Sequence, residues 1–501
     1  MTAAAALQPE RSERSERYVS APALGRLFWL ELRHNAMAWT LPVAIALFWL
    51  TTFRKMTALP PFWNLRAATV QTGLVADFVV PVTGAAAWMG AREARRRTAD
   101  ILATVLVPRP ARLLMTWAAT TCWALVGCAI CVGGAYGATA AQTSFGGPLW
   151  WPAVVGAGSV CVFAAIGLAA ATLLPGRFTA PAVAAGTFFV FALSTELITG
   201  SQSAWQVSPL VSSPWDIGPN AGIATFYPFL PDLAIAQLMF MTGLTLAILA
   251  ALATAPGSGP SLRRAIAAGL AGAGLLIAGT AVTLTGTGRL GPAGLIVIPD
   301  LHDVALDRPL PFSPVCSHDA IPVCLNPAYA GYLPKVSAAL RPLLTELAGL
   351  PGAPVQLSQA AVRYQQGPGN EVMISMALPQ TGHRPHVYRF LIPDLNDPGL
   401  STGQIASQVL AETGPDLAAG LAGAGFQADP AQQAVALALL LAARVPAPPG
   451  GRGMPPVLTP GSPGYAAATK FAALPPATRR TWLIDHLIAL RAGHLTLADL
   501  P

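Results

Sequence analysis

The sequence predicts a polytopic α-helical membrane protein of about seven transmembrane helices, followed by a small C-terminal extracytoplasmic α+β domain. Three observations predict it. Of 501 residues, 53% are hydrophobic and 11% charged, against roughly 25% charged in ordinary soluble chains, and mean hydropathy is +0.52. Apolar runs long enough to cross about 30 Å of hydrocarbon recur up to residue 288 and stop there. The net charge of +7 also belongs to that part, because the residues from Arg289 onward carry 13 basic and 13 acidic groups. A wholly soluble or disordered chain is excluded. The glycines and prolines, 47 of each, follow no G-X-Y period, which excludes collagen. Excess positive charge in the apolar part fits basic loops beside a lipid membrane. Apart from Arg95, Arg96 and Arg97 there is no dense basic stripe, so nucleic acid is not an expected partner.

Residues 1–36 form a cationic N-terminal segment. Within it Ala21–Met37 mixes Leu24, Leu27, Phe28 and Leu32 with Arg26, Glu31 and Arg33, the pattern of an amphipathic helix lying on the inner leaflet. Residues 37–254 hold six spans: Met37–Phe53, Gly73–Gly90, Leu113–Ala138, Leu149–Leu174, Phe178–Ile198 and Leu233–Thr254. The first begins too far into the chain, and lacks the small-residue cleavage site, to be a signal peptide. A seventh span, Ala265–Leu284, lies within 265–286. Basic residues crowd every other connection: Arg11, Arg14, Arg17, Arg26 and Arg33 before the first span, six arginines in loop 91–112, Arg177, then Arg263 and Arg264. The positive-inside rule then places the N-terminus in the cytoplasm and residues 287–501 outside the cell membrane, with Arg54, Lys55 and Arg66 as exceptions. Trp29, Trp39, Trp49, Trp63, Trp88, Trp150 and Trp151 fall near span ends, where amphipathic rings favour the interface.

In the C-terminal region, Cys316 and Cys324 are the only cysteines, and a lone pair on the oxidising side predicts a disulfide closing a short loop. Cys122, Cys128, Cys131 and Cys161 fall inside spans and read as small buried hydrophobes. His318 alone does not make this a zinc site. Asn326–Leu347 reads as a helix by its apolar stripe. Val355–Tyr364, Glu371–Ala377 and His386–Ile392 read as a small antiparallel sheet. Thr402–Ala422, Pro430–Ala443 and Pro476–Arg491 read as helices, and Val445–Pro463 as a linker.

Motifs for chemistry are missing. No GxxxxGK[ST] occurs, and Lys55, Lys335 and Lys470 follow no glycine-rich turn, so no phosphate-cradling loop exists here. No HExxH or GxSxG is present, and the seven histidines are scattered; His383, His386 and Asp394 read as a solvated loop. The chain is not expected to be an enzyme, nor to hold a metal or cofactor. Two intramembrane acids stand out, Asp77 and Glu196. Such groups often mark a transport path, but both fall near the outer ends of their expected spans, where a carboxylate reaches water.

The connection MGAREARRRTADILATVLVPRPARLLMTWAAT runs from a span into a charged turn (Arg92, Glu93, Arg95, Arg96, Arg97, Thr98, Asp100). A short amphipathic segment (Ile101, Leu102, Val105) and a new span follow. It resembles the first cytoplasmic loop of ABC-2 type ABC transporter permease subunits, with Glu93, Thr98, Leu102, Thr104, Val107, Arg109, Leu113 and Leu114 at corresponding positions. Arg97 stands where that family often has glycine, and Pro108 is displaced by one or two places. The resemblance covers about Ala21–Thr254. It implies an exporter subunit whose loop 91–112 docks a separate ABC ATPase, with ATP and magnesium bound on that partner, and a second permease subunit completing a homodimer or heterodimer. The tail, with PVCSHDAIPVCLNPAYAGYLP and LRAGHLTLADLP, resembles C-terminal regions of uncharacterised actinobacterial membrane proteins and implies no activity. The alternative readings are a polytopic anchor or sensor whose outer domain binds a ligand or partner, and an extracytoplasmic enzyme with a membrane anchor.

Overall fold

The computed structural model describes residues 21–97, 107–197, 203–211, 225–254, 261–366, 372–376, 386–392, 402–425, 428–445 and 460–501. Helix α1 (Ala21–Arg33) precedes α2 (Met37–Ala58), which contains a π-turn at Trp49–Phe53. Then come α3 (Trp63–Gly90), α4 (Arg109–Ala140), α5 (Trp150–Leu173), α6 (Thr179–Leu197), α7 (Asp232–Ala253) and α8 (Ser261–Gly286). Among the described residues six helices are long and apolar enough to cross a membrane, namely α2 to α5, α7 and α8; the apolar stretch Thr179–Ser194 of α6 is shorter. The chain is thus a polytopic helical membrane protein.

The centre of the bundle is α3. It packs along α5 and also against α2, α4 and α6, while α7 and α8 form a pair beside α5. Met37, Leu41, Phe48, Leu74, Phe78, Cys128 and Val160 belong to one core. Small residues let the α7–α8 pair close: a side chain at Gly243 would collide with the backbone at Gly274, and the reverse. Close approach of this kind replaces the hydrophobic drive that lipid removes.

A second core occupies the C-terminal region, built from α9 (Leu333–Leu347), α10 (Thr402–Ala422), α11 (Pro430–Ala442), α12 (Pro463–Ala473) and α13 (Pro476–Arg491). Phe62, Phe226, Tyr227 and Leu230, from connections of the bundle, enter this core and tie the two parts together. The strands are β1 (Arg289–Leu290) with β2 (Ile296–Val297), then β3 (Val315–Cys316), β4 (Val323–Leu325), β5 (Gln356–Gln359), β6 (Val362–Gln366), β7 (Val372–Met376) and β8 (Val387–Phe390).

The expected antiparallel sheet is corrected. A four-stranded sheet runs β3-β4-β5-β8, antiparallel only between β3 and β4 and parallel elsewhere, while β6 and β7 form a separate antiparallel pair. The reason lies in the connections: α9 runs between β4 and β5 and the β6–β7 pair between β5 and β8, and a connection that returns the chain to the same end of the sheet makes neighbouring strands parallel. The expected disulfide is present: Cys316 and Cys324 are register partners on β3 and β4. Helix α12 starts inside the expected linker, where Ser462 Oγ accepts the Tyr465 N–H at 3.2 Å and Pro463 opens the first turn. That is a helix-start signal. The rest of that linker, 446–459, lies outside the described residues.

Candidate functional site

Asp77 sits nearer the middle of its helix than the apolar run suggests. Helix α3 begins at Trp63, ten residues before the expected span. Asp77 is therefore about 21 Å along the helix from Trp63 and about 16 Å from Trp88, at 1.5 Å per residue. Asp77 thus lies near the middle of α3. Its partners come from the π-turn of α2. Thr52 Oγ1 donates to the carboxylate at 2.8 Å, and Thr51 Oγ1 lies 3.0 Å from it, its one proton shared with the Leu47 carbonyl at 2.8 Å. Neighbouring residues on an α-helix point about 100° apart; the wider π-turn brings both hydroxyls to one acceptor, and such turns recur at functional sites. Gly73 permits the approach, since a side chain there would collide with Thr52.

Asp77 opens onto a groove of about 740 Å3 between α2, α3 and α6, walled by residues such as Trp39, Leu47, Pro81, Trp88 and Phe188. Trp39, Trp88 and Phe188 are exposed, and the groove opens sideways from the bundle. Among the described residues on its wall, Asp77 is the one charged group. Chemically the site pairs an acceptor of fixed position with an apolar bed. Glu196 lies on α6, but its side chain is outside the described residues.

At the other end of α3 the chain continues through a single helical turn, Arg92–Arg95. Arg92 pairs with Glu31 of α1. Glu93 accepts from Arg112 Nε at 3.1 Å, and Arg112 also donates to the Val107 carbonyl. The Arg95 guanidinium lies 3.8 Å over the Trp88 ring, and Arg96 and Arg97 are exposed. Helix α1 is pinned to α4 as well: Trp123 Nε1 donates to the Leu32 carbonyl at 2.8 Å, and Asn35 Nδ2 to Thr120 Oγ1 at 3.0 Å. Two of the expected docking residues, Arg92 and Glu93, thus hold the connection to α1 and α4. Thr98, Asp100, Ile101, Leu102 and Val105 lie outside the described residues.

Two polar constellations escaped sequence reading. Gln71 Nε2 donates to the Pro209 and Val211 carbonyls at 3.0 and 2.9 Å. Gln237 Nε2 reaches those of Gln206, Ser208 and Val211 at 3.1, 2.8 and 2.8 Å. Both glutamines are buried. Residues 203–211 form a 3-10 turn at Ala204–Val207 and then irregular backbone, whose carbonyls the two glutamines satisfy inside the protein. The other constellation is His302 between two acids. His302 Nδ1 is 3.2 Å from Asp232 Oδ2, which also accepts the Ile298 N–H, and Nε2 is 3.2 Å from Asp307 Oδ2 without hydrogen-bond alignment. Both ring nitrogens are covered by carboxylates, so the imidazole offers no open face to a substrate; it clamps the start of α7 to the 298–307 segment. A lone acid opening an apolar helix, Asp232, is the sequence signal from which it could have been found.

Among the described residues no cluster of three or more histidine, cysteine or acidic side chains is arranged to hold a metal. No family model, no curated protein and no solved structure matches this chain.

Proposed function

We propose that the chain is the transmembrane subunit of an ABC-2 type exporter for an amphiphile, powered by a separate ABC ATPase that binds ATP and magnesium. A second permease subunit, identical or related, completes the pathway. In this reading the N-terminus and loop 91–112 are cytoplasmic and the C-terminal region is outside. The observation that carries the reading is Asp77, a carboxylate near the middle of α3 that Thr51 and Thr52 contact and that faces an apolar groove. Keeping such a group in hydrocarbon is unfavourable, and it persists where a pathway or ligand uses it. The groove suits an apolar chain bearing a cationic or hydrogen-bond-donating head.

Helix α3 also supports the ATPase partnership, because the helix that carries Asp77 ends in the connection bound to α1 and α4. A push on that connection reaches the groove through one rigid element. In docking, Ile101 and Leu102 enter a groove on the ATPase, while exposed charges such as Arg96 set the approach, since rim charges guide association more than they strengthen it. The test is affinity purification of the tagged full chain from its native membrane. Wild type is expected to bring an ABC ATPase with it, and Leu102→Glu to lose that protein while still inserting in the membrane. An ATPase recovered equally with both forms, or with neither, contradicts the coupling assignment.

A further inference from the structure

Where α3 ends, the apolar groove has a charged mouth. The helix stops at Gly90 and the chain goes on as the turn Arg92–Arg95. Such side chains are unfavourable in hydrocarbon, so this end of the groove meets the membrane surface. The start of α6 lies beside it, because Ala87 and Ala91 share a buried cluster with Ala171 and Ala180. Trp88 of α3 and Ala180 and Pro181 of α6 wall the groove here. Each helix brings an arginine over an aromatic ring at this mouth. The Arg95 guanidinium lies 3.8 Å over Trp88, and that of Arg177, just before α6, lies 4.7 Å over Phe178. A guanidinium placed over a ring uses its face, and the N–H fork along its edge is what grips a phosphate. Two acids close in the chain are engaged by other arginines, Glu31 by Arg92 and Glu93 by Arg112. Burial and the neighbouring Arg96 and Arg92 charges hold Arg95 below the ordinary arginine range.

Behind this mouth the α3 wall of the groove is apolar through Ala85, Gly84, Pro81 and Val80, up to Asp77. That stretch is about 16 Å at 1.5 Å per residue, close to the acyl depth of one leaflet in a hydrocarbon core of about 30 Å. Arginines at the surface above an apolar trough open to the bilayer match one partner in both parts. Basic pockets between membrane helices bind anionic head groups, and the trough takes the chain attached to such a head. We infer that the mouth of the groove seats an anionic phospholipid, its phosphate on Arg95 and Arg177 and an acyl chain along α3. The head lies at the opposite end of the groove from Asp77, and the seat does not depend on the transport reading.

The experiment uses the full chain in dodecyl maltoside and follows lipid binding by native mass spectrometry. The probes are dioleoyl phosphatidylglycerol and dioleoyl phosphatidylcholine, which share their chains and differ in net charge. The wild type is expected to bind phosphatidylglycerol about tenfold more tightly, the scale of one hydrogen bond to a charged group. Arg95→Gln combined with Arg177→Gln is expected to bring that preference below about twofold, while Asp77→Asn leaves it in place. Trp88→Leu separates a built seat from a merely basic loop. It removes no charge, yet it takes away the ring that Arg95 lies over, so the preference is expected to fall about threefold or more, on the scale of a cation–π contact. Trp88→Phe keeps a ring and is expected to keep the preference. Equal affinity for the two lipids in the wild type overturns the seat. So does a preference that survives the arginine double variant or is unchanged by Trp88→Leu, since charge anywhere on these loops would then suffice. A loss in Asp77→Asn equal to that in the double variant would place the head at Asp77 and overturn it as well. Should the double variant fail to fold, the comparison of Trp88→Leu with Trp88→Phe decides alone.

Discussion

Helices α3 and α8 look alike by hydropathy and differ in every other respect. Both cross the bundle, with mean hydropathy 1.4 and 1.9, yet 61% of the α3 span is buried in protein against 22% for α8. Helix α3 carries Arg66, Gln71, Asp77 and Thr83, each buried or half-buried, while most side chains along α8 point away from the protein. The difference shows what polar residues mean in this setting. In lipid they are unfavourable, so a span that keeps them must turn them toward protein or a pathway. The span most buried in protein is the one that α2, α4, α5 and α6 pack around.

That contrast can be broken by matched substitutions in the two helices. The largest effect is expected at Gln71. Gln71→Leu leaves the Pro209 and Val211 carbonyls without this donor, at a cost of about 2–3 kcal/mol. Thr280→Ala on α8, where the hydroxyl only bonds its own helix at Leu276, should stay within about 0.5 kcal/mol. Thermal or denaturant unfolding of both variants in detergent measures the gap, and equal losses would erase the distinction between the helices.

Gly73→Ala against Gly272→Ala is the next comparison. The first pushes a methyl group into Thr52 and the second meets nothing within 4 Å. Overpacking should destabilise Gly73→Ala by about 1–3 kcal/mol, while Gly272→Ala should gain up to about 1 kcal/mol from helix propensity. Opposite signs are the expected reading of the same unfolding assay.

Among the changes on α3, Asp77→Asn should be the mildest for stability, below about 1 kcal/mol, because an amide keeps the shape and still has an oxygen for Thr51 and Thr52. Its effect belongs to ligand contact, and a large loss of stability would recast Asp77 as a structural residue.

Much of this arrangement was legible in the sequence, and the exceptions have physical causes. Apolar length found the spans because the bilayer imposes it. It missed the first ten residues of α3 because Asn64, Arg66 and Gln71 lower local hydropathy although the helix there faces protein. Apolar periodicity found α9, α10 and α13, since each buries one face. The run Val355–Tyr364 holds two strands, of which β6 pairs antiparallel with β7 as expected while β5 pairs parallel with β4 and β8; strands as short as β4, three residues long, give no alternation from which that parallel sheet could be read. Asp77 was visible as an oddity, but its place on the helix, the π-turn and the groove required the packing of α2 and α6. The clamp of Asp232 with His302 joins residues seventy apart, which no spacing rule reaches.

The most direct test of the central claim is photolabelling of the full chain in phosphatidylcholine vesicles containing a photoreactive long-chain amine, followed by peptide mapping of the labelled sites. The account predicts labelling concentrated on the groove walls of α2, α3 and α6, near residues such as Leu47, Pro81 and Phe188. It also predicts at least a tenfold drop in Asp77→Asn with the fold intact, since a buried charge-assisted contact is worth about 1.5–3 kcal/mol. Labelling spread evenly over lipid-facing helices such as α8, and unchanged by Asp77→Asn, would contradict it.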